Sequence, residues 1–126
     1  MLVVILLILS SIGKAIMDSL QFHFDRSIFN SLSNQYWNPE VSWRNKYKDG
    51  DPTKGARFFG STTFLVFITD GWHLSQFIFL NFFMLALVNY KYTSSYDSLI
   101  DFLLFSLIFK GVFEIFYSQV FYKKIK

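Results

Sequence analysis

An acid and a histidine lie close together within an apolar run of this 126-residue chain. Asp70 and His73 follow the apolar residues 64–68, and the sequence then stays apolar and aromatic to Tyr90. Residues at i and i+3 share one face of a helix, so these two side chains are placed to hydrogen-bond each other or to share a metal ion. Ionisable groups at membrane depth are costly, and the pair is therefore the first candidate for a functional site.

A second histidine and its acidic neighbour extend the set of possible metal ligands. His23 and Asp25, together with Asp70 and His73, would supply two imidazoles and two carboxylates, a set that suits Zn, Fe or Mn. His23 and Asp25 are two positions apart, however, and such residues point in different directions on a helix. We therefore predict no cofactor and keep His23, His73 and Asp70 as metal candidates. Haem held by the two histidines is a further alternative.

The residues that precede the second apolar run indicate another kind of site. Arg57, Ser61 and Thr62 come before or at its start, and a helix N-terminus beside an arginine binds anions readily. We expect a lipid phosphate as the anion. Capping of the helix by the same hydroxyl groups is the alternative interpretation.

Composition predicts the setting in which these residues lie. The chain is 52% hydrophobic and 21% aromatic, far more than a soluble domain of this size can bury. The apolar residues concentrate in segments 1–17, 64–90 and 96–122, and each can supply the roughly 20 residues that span a membrane. The sequence thus predicts an all-α membrane protein with three transmembrane helices. A net charge of +3 favours lipid headgroups over nucleic acid as a partner.

The predicted segments follow the changes in polarity along the chain. They are helix 1 with an interfacial extension (1–29), an aromatic-rich surface loop (30–60), helix 2 (61–90), a short outer loop (91–95), helix 3 (96–122) and a basic tail (123–126). The tyrosines and tryptophans of the loop suit the headgroup level of a bilayer. Helix 2 is longer than the hydrocarbon is thick, so it either tilts or breaks at Gly71.

Topology gathers the polar residues at one face of the membrane. The loop and the tail carry most of the Lys and Arg, so the positive-inside rule makes them cytoplasmic and the N-terminus external. The end of helix 1, the start of helix 2 and the end of helix 3 then share the cytoplasmic face. The resulting candidate polar cluster contains His23, Asp25, Arg26, Asp70, His73, Lys110 and Glu114.

The charges on helix 3 allow two interpretations. Lys110 and Glu114 are four residues apart, and we expect them to pair and so to reduce the cost of placing charge in the membrane. The alternative is a proton or ion path through Glu114, Asp70 and His73. Such a path needs a water-filled groove, which one three-helix protomer can scarcely enclose.

The central part of the chain resembles a family of small bacterial membrane proteins that have no assigned activity. The resemblance lies in WNPEVSWRNKY, GDPTKGARFFGSTTFLVF and TDGWHLSQF, within residues 30–76. It implies a bacterial origin and hence the inner, or cytoplasmic, membrane. It implies no role for any residue.

These observations lead to one favoured function and two alternatives. We predict a small integral membrane subunit that acts without catalysis in a homo-oligomer or with other membrane subunits, and whose polar cluster binds a partner, lipid or ion. Membrane lipids are further expected partners. One alternative is a small metal-dependent membrane enzyme that uses His23, Asp25, Asp70 and His73. The other is a pore-forming or lysis protein.

Overall fold

The computed structural model describes residues 1–91 and 95–123, and three long helices dominate it. The helices are α1 (Leu2–His23), the short α2 (Asn34–Trp37) and α3 (Pro39–Ser42), α4 (Gly71–Asn89) and α5 (Ser95–Glu114). The described residues contain isolated bridges and no β-strand. For this part of the chain, the predicted all-α class is confirmed.

α1 is the central helix and packs against both α4 and α5. Ser10 donates its hydroxyl hydrogen to the carbonyl of Phe79 on α4, at 2.7 Å, and Ser11 donates to the carbonyl of Phe109 on α5, at 2.6 Å. Most of the buried positions of α1 carry small residues, namely Ser10, Ser11, Gly13, Ala15 and Ser19. Small residues let helix backbones approach closely, which is typical of helix packing in membranes.

The closest approach between α1 and α4 is at Gly13. A Cβ atom at this position would lie 2.8 Å from the backbone nitrogen of Phe79 and 3.1 Å from the carbonyl oxygen of Ser75. Real Cβ atoms do not approach backbone atoms as closely as 2.8 Å, so glycine is required here. The distance between the two helices is therefore set by the absence of a side chain.

Residues 24–70 form a folded connection between α1 and α4. A narrow hairpin lies within it, where Lys48 N–H donates to the carbonyl of Gly55 at 3.0 Å and Arg57 N–H donates to that of Lys46 at 2.9 Å. Single helical turns make up much of the rest: Phe24–Arg26, Ile28–Ser31, Trp43–Lys46, Lys48–Gly50, Pro52–Lys54 and Val66–Ile68. The connection is thus a structured loop, held by its own hydrogen bonds.

The segment after α5 closes the fold against the end of α1. It continues as a π-helical turn, Ile115–Val120, and then returns to the loop. Ile28 N–H donates to the carbonyl of Phe121 at 2.9 Å, and Lys123 N–H donates to that of Arg26 at 2.6 Å. The main buried cluster lies beneath this junction and consists of Ala15, Leu20, Phe24, Phe29 and Phe121.

Two helices are long and apolar enough to cross a membrane, Leu2–Arg26 and Gly71–Asn89, among the residues that the structure describes. α5 is as long as α4 but carries more charge, including Lys110 and Glu114. Two of the three predicted spans therefore correspond to helices with the length and composition of a membrane span, while the third corresponds to the more charged α5.

Helix boundaries differ from the predicted ones at several points. α1 ends at His23 instead of continuing to residue 29, and α5 changes to a π-turn after Glu114. α4 begins at Gly71, ten residues after the predicted start, because the backbone of Asp70 is extended and interrupts the helix. Of the two alternatives for helix 2, the break is the one observed. Residues 92–94 of the predicted outer loop and 124–126 of the basic tail lie outside the described residues.

Candidate functional site

Asp70 organises the candidate site at the start of α4. Its side chain is almost fully buried and forms the N-cap of the helix. Oδ1 accepts the backbone N–H of His73 at 2.8 Å, and Oδ2 lies 2.7 Å from Nδ1 of the His73 ring. The structure therefore brings Asp70 and His73 into direct contact. One carboxylate fixes both the first helical turn and the orientation of the imidazole.

The two members of the pair differ in their access to the surface. The side chain of His73 is 20% exposed, whereas that of Asp70 is 2% exposed. A carboxylate that holds Nδ1 fixes the tautomer of the ring and leaves Nε2 for another partner, as in many metal ligands and general bases. His73 is thus the member of the pair that can contact a ligand or a partner.

Aromatic residues of the loop between α1 and α4 cover the Asp70–His73 pair. The ring of Trp37 lies over Gly71, where a Cβ atom would clash with ring atom Cε3. Trp37 in turn stacks on Phe29, with ring centroids 5.2 Å apart. Burial and the nearby negative charge of Asp70 raise the pKa of the Tyr36 phenol. The aromatic residues of α2 therefore shield Asp70 from water.

Asn45 links the α2 region of the loop to the site. Its amide nitrogen donates to the carbonyl of Gln35 at 2.7 Å and to that of Thr69 at 3.0 Å, and its amide oxygen accepts from the Gln35 side chain. Thr69 immediately precedes Asp70, so this amide positions the helix cap. Asn45 is not among the site residues predicted from the sequence. A single asparagine in a polar loop carries no signal for such a role.

We expect Asn45→Ala to loosen the loop around Asp70. The change leaves two backbone carbonyls without their donor, and each loss costs roughly 1–3 kcal/mol where the group is shielded from water. Amide hydrogen exchange should rise several-fold in residues 35–45 and 69–73. Asn30→Ala is the matched control, because Asn30 is exposed and donates to a single carbonyl, that of Asp25. Equal exchange in the two variants would contradict the role of Asn45.

His23 lies among aromatic rings at the end of α1. Its Nδ1 is 3.3 Å from the hydroxyl of Tyr117, and its ring centroid is 4.5 Å from that of Tyr117 and 5.2 Å from that of Tyr122. Trp72 Nε1–H donates to the side-chain oxygen of Gln21 at 3.2 Å. The end of α1, the start of α4 and the segment after α5 therefore meet at one end of the helical bundle.

A polar cleft of about 320 Å³ opens beside His23. It lies between the end of α1 and the start of α3, and Arg26 at its rim donates to the hydroxyl of Tyr122 at 3.0 Å. Its polar lining residues are Gln21, His23, Asp25, Arg26, Asn38 and Glu40. The cleft places Asp25 and Arg26 of the predicted cluster beside His23. Both charged residues are exposed to solvent.

The metal ligands considered from the sequence do not come together. Within residues 1–91 and 95–123, no three His, Asp or Glu side chains are grouped closely enough to hold a metal ion. Asp70 and His73 are paired with each other, while the ring of His23 packs against tyrosines. The four-ligand arrangement of the enzyme alternative is therefore not assembled here.

The residues predicted to bind an anion have other surroundings. Ser61 is buried, its hydroxyl donates to the carbonyl of Lys46 at 2.8 Å, and it accepts from Phe58 N–H at 3.3 Å. No helix begins at Thr62, because Gly60 has a φ of +82° and the following residues form turns. The helix N-terminus that motivated an anion site at Arg57, Ser61 and Thr62 is thus absent.

Lys110 and Glu114 of α5 are exposed and do not pair as expected. No ion pair joins Lys110 and Glu114 in the described part of the chain, and the hydroxyl of Ser118 donates to the Glu114 carboxylate instead. On α1, by contrast, Lys14 and Asp18 form an ion pair at 2.6 Å. An ion pair between residues four apart is therefore observed on α1 and not on α5, where it was expected.

An apolar groove of about 460 Å³ separates α4 from α5 on one side of α1. The hydroxyl of Tyr90 donates to Asp101 at 2.9 Å across the groove. The apolar residues that line it include Val3, Leu7, Phe79, Phe83, Ala86 and Phe105. It is the larger of the two cavities described here, and neither His23 nor His73 lines it.

No family model, curated protein or solved structure matches this chain. The resemblance to a bacterial membrane family therefore stays a prediction.

Proposed function

We propose that this protein is an integral membrane protein whose three long helices, α1, α4 and α5, all cross the bilayer. The observation that supports this proposal is the exposed apolar surface of α4. Only Gly71, Ser75 and Ala86 of its residues are buried, yet the helix is apolar around most of its circumference. An exposed helix of this kind is not stable against water, whereas hydrocarbon suits it. α5 carries more charge than α4 but is apolar over much of its length, and Lys110 near its end can extend its amine toward the headgroups.

The loop supports a position at the headgroup level. The guanidinium of Arg44 lies 5.1 Å from the centroid of the Trp43 ring, and the amine of Lys46 lies 5.5 Å from that of Tyr47. Aromatic rings anchor a chain at the interface, and adjacent cations attract anionic lipids. We therefore propose that the loop contacts lipid headgroups on the cytoplasmic side of a bacterial inner membrane, with the N-terminus outside.

We propose further that the protein acts as a non-enzymatic subunit of an oligomeric membrane complex. α4 and α5 present many exposed large apolar side chains, among them Leu80, Met84, Leu87, Val88, Leu103, Leu104 and Leu107. This is more helix surface than one protomer packs. The cluster around Asp70, His73 and His23 then serves as a contact site for a partner, lipid or ion at the cytoplasmic face.

Single-cysteine labelling tests the three-span topology, since the natural chain has no cysteine. We expect Lys91→Cys to react with a membrane-impermeant maleimide in intact spheroplasts. Lys48→Cys, in the loop, should react only in inside-out vesicles. Both side chains are exposed, so a lack of reaction reports the membrane and not burial in the protein.

Two results would overturn the topology. Labelling of both positions from the same side excludes three spans with the proposed ends. Recovery of the protein in the soluble fraction excludes a membrane protein altogether. A Lys54→Cys variant, on the same loop, should reproduce the behaviour of Lys48→Cys.

A further inference from the structure

The last part of the connection between α1 and α4, segment 58–69, carries exposed phenylalanines and no charge. Between Arg57 and Asp70 the sequence FFGSTTFLVFIT contains no Lys, Arg, Asp or Glu. Phe59 is 86% exposed and Phe64 is 63% exposed. A concentrated apolar patch on a protein surface marks a contact with another protein or with a membrane.

A tight turn holds these exposed rings in place. Gly60 has a φ of +82°, and a Cβ atom there would lie 2.9 Å from the ring of Phe64. The ring centroids of Phe59 and Phe64 are 5.8 Å apart, and the two rings meet edge to face. This is a favourable arrangement for an aromatic pair. The exposed apolar surface is therefore a defined feature of the fold.

The backbone of segment 58–69 forms hydrogen bonds within the segment. Six N–H groups donate to its own carbonyls at 2.9–3.4 Å, those of Ser61, Thr63, Leu65, Val66, Ile68 and Thr69. The hydroxyl of Thr69 donates to the carbonyl of Val66 at 2.7 Å. Non-helical backbone is tolerated at membrane depth only where its polar groups have partners other than water. These six donors meet that requirement.

Contacts with the loop and with α4 set the depth of the segment. The hydroxyl of Ser61 donates to the carbonyl of Lys46 at 2.8 Å, which ties one end to the loop. The other end leads into Asp70, the N-cap of α4. Between these ends, the ring of Phe67 stacks on that of Phe77, with centroids 4.1 Å apart. Phe77 comes six residues after the start of α4, about 9 Å along its axis, so the Phe67 ring lies beside the first two turns of the helix.

We propose that segment 58–69 inserts into the cytoplasmic leaflet as a shallow re-entrant segment, with lipid hydrocarbon covering Phe59 and Phe64. The proposal rests on the proposed membrane function, because an α4 that crosses the bilayer fixes the depth of Phe67. Phe77 is itself exposed on α4, so the segment and the helix form one continuous apolar surface. Apolar faces of chains at the membrane interface are typically buried about 5–10 Å into the boundary between headgroups and hydrocarbon.

Single-cysteine spin labels test where the phenylalanines lie. The full chain with Phe64→Cys or Phe59→Cys is labelled with a nitroxide and reconstituted into vesicles of phosphatidylethanolamine and phosphatidylglycerol. Collisions of the label with oxygen, which concentrates in hydrocarbon, are compared with those of a water-soluble nickel chelate present on both sides of the membrane. The ratio of oxygen to nickel accessibility should be several-fold higher at both positions than at Lys54→Cys, whose side chain is exposed in the hairpin.

Met84→Cys, on the exposed surface of α4, is the matched reference for hydrocarbon. Nickel access at Phe64→Cys and Phe59→Cys equal to that at Lys54→Cys would place the segment in water and overturn the insertion. Exclusion of both oxygen and nickel would show that protein covers the rings, and would overturn lipid as the partner. In either case a high ratio at Met84→Cys leaves the membrane function standing, whereas free nickel access there overturns both proposals. Equal helix content by circular dichroism in all four variants shows that none of them is misfolded.

Discussion

Gly13→Ala is expected to lower the free energy of unfolding by about 1–3 kcal/mol, the cost of forcing a methyl group into a packed interface. The new Cβ atom would lie 2.8 Å from the backbone nitrogen of Phe79 and 2.9 Å from a methyl group of Ile78. Backbone atoms of a helix cannot move aside one at a time. α4 must therefore shift as a whole, which lengthens the hydrogen bond between Ser10 and the Phe79 carbonyl.

Gly111→Ala is the matched control for this prediction. It makes the same substitution in another long helix, but its Cβ atom meets nothing within 4 Å. Alanine is the better helix former by about 1 kcal/mol, so stability should be unchanged or slightly higher. Unfolding is followed by circular dichroism in mixed micelles of rising SDS content, with the protein dilute enough to separate protomers. Equal stability of the two variants would show that α1 and α4 are not in close contact.

Asp70→Ala is expected to have the largest effect among substitutions at the candidate site, a loss of about 2–4 kcal/mol. The helix loses its N-cap, which typically contributes about 1 kcal/mol. The buried donors of His73 also lose their acceptor, which costs roughly 1–3 kcal/mol more. The same SDS titration measures the loss, and hydrogen exchange should rise first in residues 71–75.

Asp70→Asn separates the cap from the contact with the imidazole. Asparagine is as good an N-cap as aspartate, so only the interaction with the His73 ring is weakened, and the loss should be about half that of Asp70→Ala. Asp51→Ala is the control for an exposed cap. Hydrogen bonds from Thr53 to Asp51 lower the pKa of that carboxyl, but the turn lies in water. If Asp51→Ala costs as much as Asp70→Ala, burial is not what makes Asp70 important.

The sequence predicts the long helices and the pair at their junction, since both depend on local pattern. Three apolar segments correspond to α1, α4 and α5, and the i, i+3 spacing places Asp70 beside His73. The apolar run 64–68 looks helical by composition, yet it precedes the helix instead of forming part of it. Gly60, with its positive φ, precedes this run, and the extended backbone of Asp70 separates the run from α4. Neither conformation can be read from residue types alone.

The remaining differences come from contacts between residues far apart in the chain or from competing partners. Trp37 covers Gly71, and Asn45 reaches Thr69, only because the loop folds back on itself. Lys110 and Glu114 do not form the expected ion pair, and the Glu114 carboxylate accepts from the Ser118 hydroxyl. The spacing of two charges says which contacts are possible, and the neighbouring residues decide which of them forms.

The hydrogen bonds that tie the segment after α5 to the end of α1 have a consequence for biosynthesis. Arg26 and Ile28 emerge from the ribosome early, but their backbone partners are Lys123 and Phe121. At about 5–20 residues per second, a delay of several seconds or more separates the synthesis of the two segments of this junction. The region around Phe24 and Phe29 must stay incomplete during that time, with apolar rings uncovered. This junction can therefore form only after residues 121–123 have been synthesised.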